Sequence, residues 1–485
     1  PMFAHGQIEG FQEKYGMEYR YAKWDEKPDR ELIQRHEREI FPLIKRRHLF
    51  SDVKNFLLYD FFTPEGYVNE NVFAYSNRSG EERALVIYHN KYDFARGWIR
   101  TSVSYSVKRR EGEEPQLIQK NLGEGLGLHN DSTYFCIFRD HVSGLEYIRN
   151  SKELYEKGLY VELGAYKVHV FLDFREVQDN QWNHYAQMAL SLNGRGTPNM
   201  EEVSKEIQLQ PLQKSFKELI HADLIRRLME ARITQPQGQL DQILTEEIEK
   251  KMVNFLREVK QFSGGREEEV RMAREVRQKL EAILYLPIIT SRYSRLQPKG
   301  VKAVAEYLHR GLDDSLSTWA TLFGWLFIHS IGKIVEQRDF IERSDRWIEE
   351  WRLGKIIGDV FRELGIEERS TLRSLILIKL LTRHQRWFEE ETAFEVLEKL
   401  FKESEARQFL GVNQYEGIWW FNKESFEELL WWLMLISAIE IGFDPLRPIN
   451  EMMKKLERCW SLIEKIQEAE AHSEYQVKKL LSIRP

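Results

Sequence analysis

The chain has 485 residues, more than one hydrophobic core usually organises, so its length predicts two to four domains. Hydrophobic residues make up 42% and charged residues 31%, which excludes a largely disordered chain. The net charge is −6, with acidic and basic residues interspersed. This balance argues against a nucleic-acid binder, because such proteins meet phosphates with a basic field. The short basic runs at residues 45–47 and 108–110 are interpreted as solvated faces.

The first stretch contains a strand-like start and a helix. Residues 1–10 run from apolar side chains into a polar, Gly-containing turn. A lone strand cannot satisfy its backbone, so it pairs with a later segment or with partners upstream. Asp29, just after Pro28, is a predicted helix N-cap, and Pro42 is expected to end that helix and begin a second one that ends near His48. The helical spacing is carried by Leu32, Ile33, His36 and Ile40.

A β-rich region follows, organised around a hairpin. Residues 71–76 and 83–89 are apolar, β-branched and aromatic runs, and residues 77–82 form a turn-rich connector that predicts a loop longer than the tightest kind. Short strands at this spacing predict a β-sandwich. Further strand-like runs lie at residues 98–106, 134–138, 145–148 and 167–172.

Several residue patterns in the β-rich region have two interpretations. The glycine-dense residues 123–127 could cradle a phosphate, but no Lys-Ser/Thr ending follows, so an ordinary loop is favoured. Trp98, Tyr105 and Tyr134 could form a sugar-stacking face, and core or cross-strand pairing is the favoured alternative. The scattered histidines have no metal-ligand spacing and are interpreted as singly satisfied or exposed; they are His89, His129, His141 and His169.

Beyond residue 177 the sequence predicts helices. The clearest linker signal lies at residues 193–199. Apolar residues then recur at intervals of three and four residues, which favours a helical bundle or array. We place Leu219, Leu224, Ile225 and Leu228 on one helix. A second follows the glycine break at residues 263–265 and contains Val270, Val276, Leu280, Ile283 and Leu284. A third contains Leu456, Trp460, Ile463 and Ile466.

Two segments of this region are strongly apolar. Residues 316–335 enclose His329 and Lys333, and residues 429–443 enclose Glu440. Neither contains the roughly 20 uninterrupted apolar residues that cross a bilayer, so buried bundle helices are expected and no membrane is predicted as a partner. Eleven of the thirteen tryptophans lie beyond residue 176; core packing or a partner interface is favoured over a glucan-binding platform.

Metals, disulfides and cofactors are not predicted. The two cysteines, Cys136 and Cys459, lie in regions assigned to different domains, and neither belongs to a metal-ligand spacing. Cysteine usage is compatible with a reducing compartment, and a cytoplasmic location is the expectation.

Several segments in order resemble parts of the α-amylase family of glycoside hydrolases (family 13-like). Pro1-Met2-Phe3-Ala4-His5-Gly6-Gln7-Ile8-Glu9 resembles the last barrel strand and its loop, and Trp24-Asp25 the Trp-Asp that follows it. Residues 32–50 resemble the last barrel helix, residues 71–90 the first hairpin of the C-terminal β-domain, and residues 160–172 its closing strands. The resemblance covers residues 1 to about 175.

This resemblance implies a multidomain α+β chain: the end of a (β/α)8 barrel at residues 1–55, an antiparallel β-sandwich at 56–176, and an α-helical region at 177–485. It implies a retaining hydrolase or transglycosylase with α-glucan as substrate. His5, Gln7 and Glu9 would bind substrate, because the ends of barrel strands face the active site. Glu9 could equally orient a neighbouring loop by hydrogen bonds.

The catalytic residues of the family have no counterparts in this sequence. The family nucleophile lies in a Gly-x-Arg-x-Asp string and a further Asp follows His directly, and neither string occurs. The Asp-x-x-x-Asn-His string at residues 179–184 follows the β-domain, in the wrong order, and is interpreted as coincidence. We therefore expect the catalytic carboxylates upstream of Pro1 and assign no catalytic residue. The alternatives are a non-catalytic carbohydrate-binding or protein-interaction module with a helical scaffold, or a helical membrane-associated protein.

Overall fold

A computed structural model of the chain describes residues 3, 6–12, 25–107, 116–180, 183–293, 299–442 and 449–482. The chain forms two compact units, Pro1–Gln208 and Leu209–Pro485. The first contains an antiparallel eight-stranded sheet of half-barrel form, and the second is mainly helical. The expected succession of a β-rich region and a helical region is confirmed at this level. The predicted domain boundaries at residues 55 and 176 stay predictions.

The described strands of the first unit form one large sheet and one small hairpin. The sheet order is β8-β7-β10-β3-β2-β1-β4-β9, and every neighbouring pair is antiparallel. The hairpin pairs β5 with β6. A division of the large sheet into a two-layer sandwich stays a prediction. The strands are β1 Leu57–Phe62, β2 Val72–Ser79, β3 Glu82–His89, β4 Ala95–Ser102, β5 Tyr105–Val107, β6 Gln116–Ile118, β7 Tyr134–Asp140, β8 Glu146–Asn150, β9 Leu159–Leu163 and β10 Val168–Gln178.

The β2–β3 hairpin is tighter than the sequence predicted. The ladder continues to the pair Ser79–Glu82, which leaves a loop of two residues, Gly80 and Glu81. Gly80 has φ of 58°, a conformation that glycine adopts without steric cost. The prediction of a longer loop was wrong because a polar residue in the ladder was taken for a turn residue. Asn77 is buried in the strand, where its side-chain amide donates to the Asp52 carbonyl oxygen at 2.6 Å.

Alternating side chains give the sheet two apolar faces. One face buries Phe61, Ile87, Ile99 and other strand residues in the main core of this unit. The opposite face carries Val170 and Leu172, which pack with Leu49 of the preceding helical segment. Successive side chains of a strand point to opposite faces of the sheet, so apolar residues at alternate positions supply each face.

The helical segment in front of the sheet begins and ends as predicted. The helices are α1 Arg30–Glu39, α2 Phe41–Lys45 and α3 Arg47–Ser51. The Asp29 side chain accepts hydrogen bonds from the backbone N–H groups of Glu31 and Leu32, which confirms the N-cap. Pro42 lies in the first turn of α2, where its missing N–H costs nothing. The second helix predicted there is two short helices.

The glycine-dense residues 123–127 were predicted to form a loop and instead form a short helix. This helix, α4 Leu122–Leu126, begins with a capping box between Asn121 and Glu124. Its glycines allow close packing, because a Cβ on Gly123 would lie 2.2 Å from the Tyr155 ring. Two further helices of this unit are α5 Ser151–Glu156 and α6 His184–Leu192.

The four histidines of the β-rich region each have a hydrogen-bond partner. His89 and His141 contact the carbonyl oxygens of Gly164 and Glu39 at 3.1 Å. His129 and His169 contact the carboxylates of Glu176 and Asp140 at 3.0 Å. The interpretation of these residues as individually satisfied is confirmed for His89, His141 and His169, and His129 is exposed as well.

Helix α7, Met200–Leu219, contains the division between the units, and the second unit continues in helices around one large core. Helices α10 and α19 carry the periodic residues predicted for them. The first periodic set is divided between α7 and α8, because His221 interrupts the helix and caps α8 through its Nδ1 atom. The remaining helices are α8 Ala222–Glu230, α9 Gln242–Ser263, α10 Glu269–Tyr293, α11 Lys299–Gly311, α12 Leu316–Ile328, α13 Phe340–Glu350, α14 Leu353–Glu363, α15 Glu368–Arg383, α16 Ala393–Lys402, α17 Ser404–Phe409, α18 Lys423–Gly442, α19 Ile449–Ser473 and α20 Val477–Leu480; the second unit also contains two 3₁₀ turns, Ile331–Ile334 and Trp387–Glu389, and a hairpin of β11 Asn413–Tyr415 and β12 Ile418–Trp420.

The two strongly apolar segments become buried helices, as predicted. Helix α12 is buried along all but its first turn, and α18 is buried over most of its described length. Among the described residues, none of the helices combines the length and apolar character that crossing a bilayer requires. Cys136 and Cys459 are both buried and unpaired with one another.

Gly158 lies where two backbone segments approach closely, at the start of β9. It has φ of 74°, and a Cβ there would lie 2.0 Å from the Ile99 carbonyl oxygen. Gly80 has a similar φ, but a Cβ at that position would meet no atom within 4 Å. We expect Gly158→Ala to lower the free energy of unfolding by about 2–5 kcal/mol, from left-handed strain plus overpacking, and Gly80→Ala by about 1 kcal/mol.

Hydrogen exchange of the sheet amides measures this difference in the first unit alone. Equal losses of protection in the Gly158→Ala and Gly80→Ala variants would contradict the close contact with Ile99.

Candidate functional site

Two of the three substrate-binding residues predicted from sequence lie in an N-terminal turn. His5 lies outside the described residues. Gln7 is exposed and Glu9 is half-buried, both within a turn over residues 6–10. The Asp29 N–H donates to the Glu9 carbonyl oxygen at 2.8 Å, so the turn is held against the start of α1. The structure thus places Gln7 and Glu9 in one turn, and their role in substrate binding stays a prediction.

A larger concave feature lies at the two edges of the sheet. The edge strands β8 and β9 line opposite parts of one groove of about 1090 Å³. The core aromatic residues Phe138 and Phe171 contribute to its lining, and side chains from α5 and α6 border it. Because both edges of the same sheet line one groove, the groove is the open seam of the half-barrel.

Two tyrosines on the strand walls of the seam groove are held by aromatic neighbours. Tyr160 of β9 pairs across strands with Trp98, with ring centroids 4.9 Å apart. The Tyr160 hydroxyl donates to the Glu162 carboxylate at 2.8 Å, and this bond raises the pKa of the tyrosine. Tyr147 of β8 stacks on Phe138 with centroids 5.8 Å apart. The structure assigns Trp98 to cross-strand pairing, as the favoured interpretation predicted.

The charges of the seam groove are largely neutralised within it. On α5 and just after it, Lys157 contacts Glu153 at 3.0 Å and Lys152 contacts Glu156 at 3.7 Å. Arg149 donates to the carbonyl oxygens of Ile148 at 2.8 Å and Gly194 at 2.9 Å. Burial lowers the pKa of the Arg149 guanidinium. The groove therefore presents aromatic and polar groups without a strong field of either sign.

The second unit contains a buried cluster of ionisable residues. Lys279 of α10 lies between His329, at the end of α12, and Glu440 of α18. Its Nζ atom is 2.9 Å from His329 Nε2 and also donates to the Glu440 carboxylate. His329 is fully buried, and its Nδ1 atom lies 2.9 Å from the Leu326 carbonyl oxygen. Since a carbonyl only accepts, Nδ1 carries a proton, whereas Nε2 lies beside both the Lys279 Nζ atom and, at 3.1 Å, the Glu440 carboxylate.

Burial and charge determine the protonation of this cluster. Burial, together with the neighbouring Lys279 ammonium, lowers the pKa of His329 to about 4. Burial opposes the Glu440 charge, but Lys279 and His329 outweigh it and hold the pKa of Glu440 well below its usual range. Burial also lowers the pKa of Lys333, which follows His329 in the chain. At neutral pH His329 is therefore neutral and Glu440 is ionised.

Sequence reasoning identified neither the seam groove nor the cluster as a site. The groove residues lie on short strands and show no motif, because their association depends on the curvature of the sheet. The cluster had a signal, since His329 and Glu440 are polar residues inside the two most apolar segments, and a charge in such a helix requires a partner. In the part of the chain that the structure describes, no group of three or more His, Cys, Asp or Glu could hold a metal ion.

The motif at residues 179–184 has a local structural role. The Asp179 carboxylate accepts hydrogen bonds from the Tyr185 and Ala186 backbone N–H groups at 2.9 and 3.0 Å, at the start of α6. His184 contacts the Ser204 hydroxyl at 2.8 Å. Gln181 and Trp182 lie outside the described residues.

Comparison with protein-family models, curated proteins and solved structures gives no significant match to this chain.

The buried cluster predicts a pH-dependent stability of the second unit. An unfolded histidine binds its proton near pH 6.5 and folded His329 near pH 4, so the unfolded state holds more protons between these values. The contribution of His329 to stability is therefore full above about pH 6.5 and is lost as the pH is lowered to 4, by about 3 kcal/mol at most. Burial raises the pKa of Glu470 in the same unit to about 7, and this acts in the opposite direction. Ten of the thirteen tryptophans lie beyond residue 209, so urea unfolding followed by tryptophan fluorescence reports this unit.

The matched variants are His329→Asn, which removes the titrating group, and His472→Asn, which removes an exposed histidine of α19. We expect the first variant to lack the loss of stability that His329 causes between pH 6.5 and 4, and the second variant to keep the original pH dependence. The same slope in all three proteins would show that His329 takes up its proton equally in both states.

Proposed function

We propose that the chain is the C-terminal part of an α-amylase-family glycoside hydrolase or transglycosylase that acts on α-glucans. In this proposal residues 1–55 are the last strand and helix of a (β/α)8 barrel, and residues 56–176 are the C-terminal β-sandwich. The supporting observation is the packing between segments that the resemblance places side by side. The Phe3 ring lies edge-on to His36 of α1 and Phe41 of α2, with centroids 6.5 Å from each.

The contacts of α3 with the sheet support the same proposal. Leu49 packs with Ala84 of β3 and with Val170 and Leu172 of β10. The resemblance assigns these partners to the first hairpin and the closing strand of the β-domain. A helix that leaves the barrel and immediately covers both of them is the arrangement that the proposal requires.

The proposed reaction uses two carboxylates of a retaining glycosidase. An Asp forms a covalent glycosyl intermediate while a Glu protonates the departing sugar, and water or another sugar then completes hydrolysis or transfer. The strings that carry these residues do not occur in residues 1–485. The proposal therefore places them on a preceding segment, and Gln7 and Glu9 would contact α-glucan from the end of the last barrel strand.

The alternative is a non-catalytic carbohydrate-binding or protein-interaction module with a helical scaffold. The specific observation in its favour is the seam groove, which offers aromatic rings and self-neutralised charges in a cavity. Glucan binding by the chain alone, without any catalytic segment, is the result that this alternative predicts.

The first proposal predicts that the 485-residue chain releases no reducing sugar from starch above a buffer blank. The physical reason is that neither catalytic carboxylate is present. A reducing-sugar assay over several hours measures this, with a commercial α-amylase as positive control. Release that disappears on a single carboxylate substitution within residues 1–485, for example Glu9→Gln, would contradict the proposal.

A further inference from the structure

We propose that the seam groove between β8 and β9 binds an oligosaccharide, with Tyr160 against the face of one of its sugar rings. The choice of an α-linked glucan rests on the proposed function. The groove itself is argued from its geometry alone.

The size of the groove suits an extended ligand. Its volume of about 1090 Å³ lies just above the roughly 300–1,000 Å³ typical of small-molecule sites. Its lining comes from both edge strands and from the two bordering helices, so a ligand would be contacted on several sides. A chain of several linked sugar units fills such a space better than a single one.

The aromatic rings are positioned before any ligand arrives. Tyr160 is 39% exposed, so its ring offers surface, while Trp98 supports it at 4.9 Å. Arg100 in turn lies over the Trp98 ring at 5.0 Å. The Tyr160 hydroxyl is oriented by Glu162, which places a ring and a hydrogen-bonding carboxylate side by side. A sugar offers an apolar C–H face and hydroxyls at its rim, and a fixed tyrosine next to a carboxylate matches both.

The charge of the groove favours a neutral ligand. Four cationic and three anionic side chains line it, and the lysines are paired with glutamates of α5. The Arg149 guanidinium donates hydrogen bonds to the backbone carbonyl oxygens of Ile148 and Gly194. A phosphorylated ligand or a nucleic acid would meet no concentrated positive field there. An uncharged polyhydroxylated chain meets polar partners without that requirement.

The edge of β8 disfavours a peptide strand as the occupant. Both backbone groups of Glu146 are bonded to Thr197, at 2.7 and 2.9 Å. The Ile148 carbonyl oxygen accepts from Arg149. Strand addition needs free N–H and C=O groups in register, and β8 has already committed these.

The experiment measures maltoheptaose binding to the full chain by isothermal titration calorimetry. We expect Tyr160→Ala to weaken binding about tenfold, as the loss of one ring contact implies. Tyr160→Phe keeps the ring and is expected to stay within about threefold of the original affinity. Tyr67→Ala removes a tyrosine that is 75% exposed and does not line the groove, and is the matched control with unchanged affinity.

Hydrogen exchange checks folding of each variant and maps the site. Maltoheptaose is expected to protect amides of residues 146–163 in the original chain and not in Tyr160→Ala. Equal affinity of Tyr160→Ala and the original chain, or protection elsewhere only, overturns the proposal. Protection of β9 by an eight-residue Thr-Val repeat peptide, with none from any oligosaccharide, replaces it with strand addition.

A β-linked probe separates this inference from the proposed function. Binding of cellohexaose but not maltoheptaose, with loss in Tyr160→Ala, supports the groove and contradicts the α-glucan assignment. Binding of maltoheptaose that is insensitive to Tyr160 supports the α-glucan assignment and overturns the groove.

Discussion

The two edges of the eight-stranded sheet determine most of what the first unit presents. An open sheet leaves rows of backbone N–H and C=O groups at its edges, and these must be paired, covered or blocked. Here β8 is blocked by Thr197 and by its own Arg149, and the short α5 connects it directly to β9. The connection brings both edges to one groove instead of to opposite sides of a flat sheet. Gly158 makes this return possible, because the chain passes directly over the Ile99 backbone.

Much of the local structure could be predicted because local residues determine it. The Asp29 cap, the interruption at Pro42 and the helix around Val276 and Leu280 follow from side chains within one or two turns. The errors arose where distant contacts decide. Asn77 stays in the ladder because Asp52 accepts its amide hydrogen, and this partner is not visible as a pattern in the sequence. Residues 122–126 did have a local signal, the capping box of Asn121 and Glu124, which the glycines obscured.

The candidate site was less predictable than the fold. Gln7 and Glu9 are predicted from a resemblance to a family and not from a pattern of chemistry-bearing residues in this sequence. Tyr147 and Tyr160 both line the seam groove, although their strands lie at opposite edges of the sheet. Only the curvature of the sheet brings them to one groove, and the sequence carries no signal for it. The buried cluster had a partial signal in the sequence, because His329 and Glu440 are polar residues within apolar segments. Lys279 had none, because a lysine on an amphipathic helix is normally exposed, and only the packing of α10 brings it to both residues.

The ion pairs of the seam groove and the buried cluster of the second unit differ in their exposure to water. In the seam groove, pairs such as Lys157 with Glu153 remain at the surface, where water screens them and their formation costs little. In the second unit, one lysine is removed from water and must be compensated by Glu440 and a neutral histidine, so any change in protonation acts on the packing of three helices.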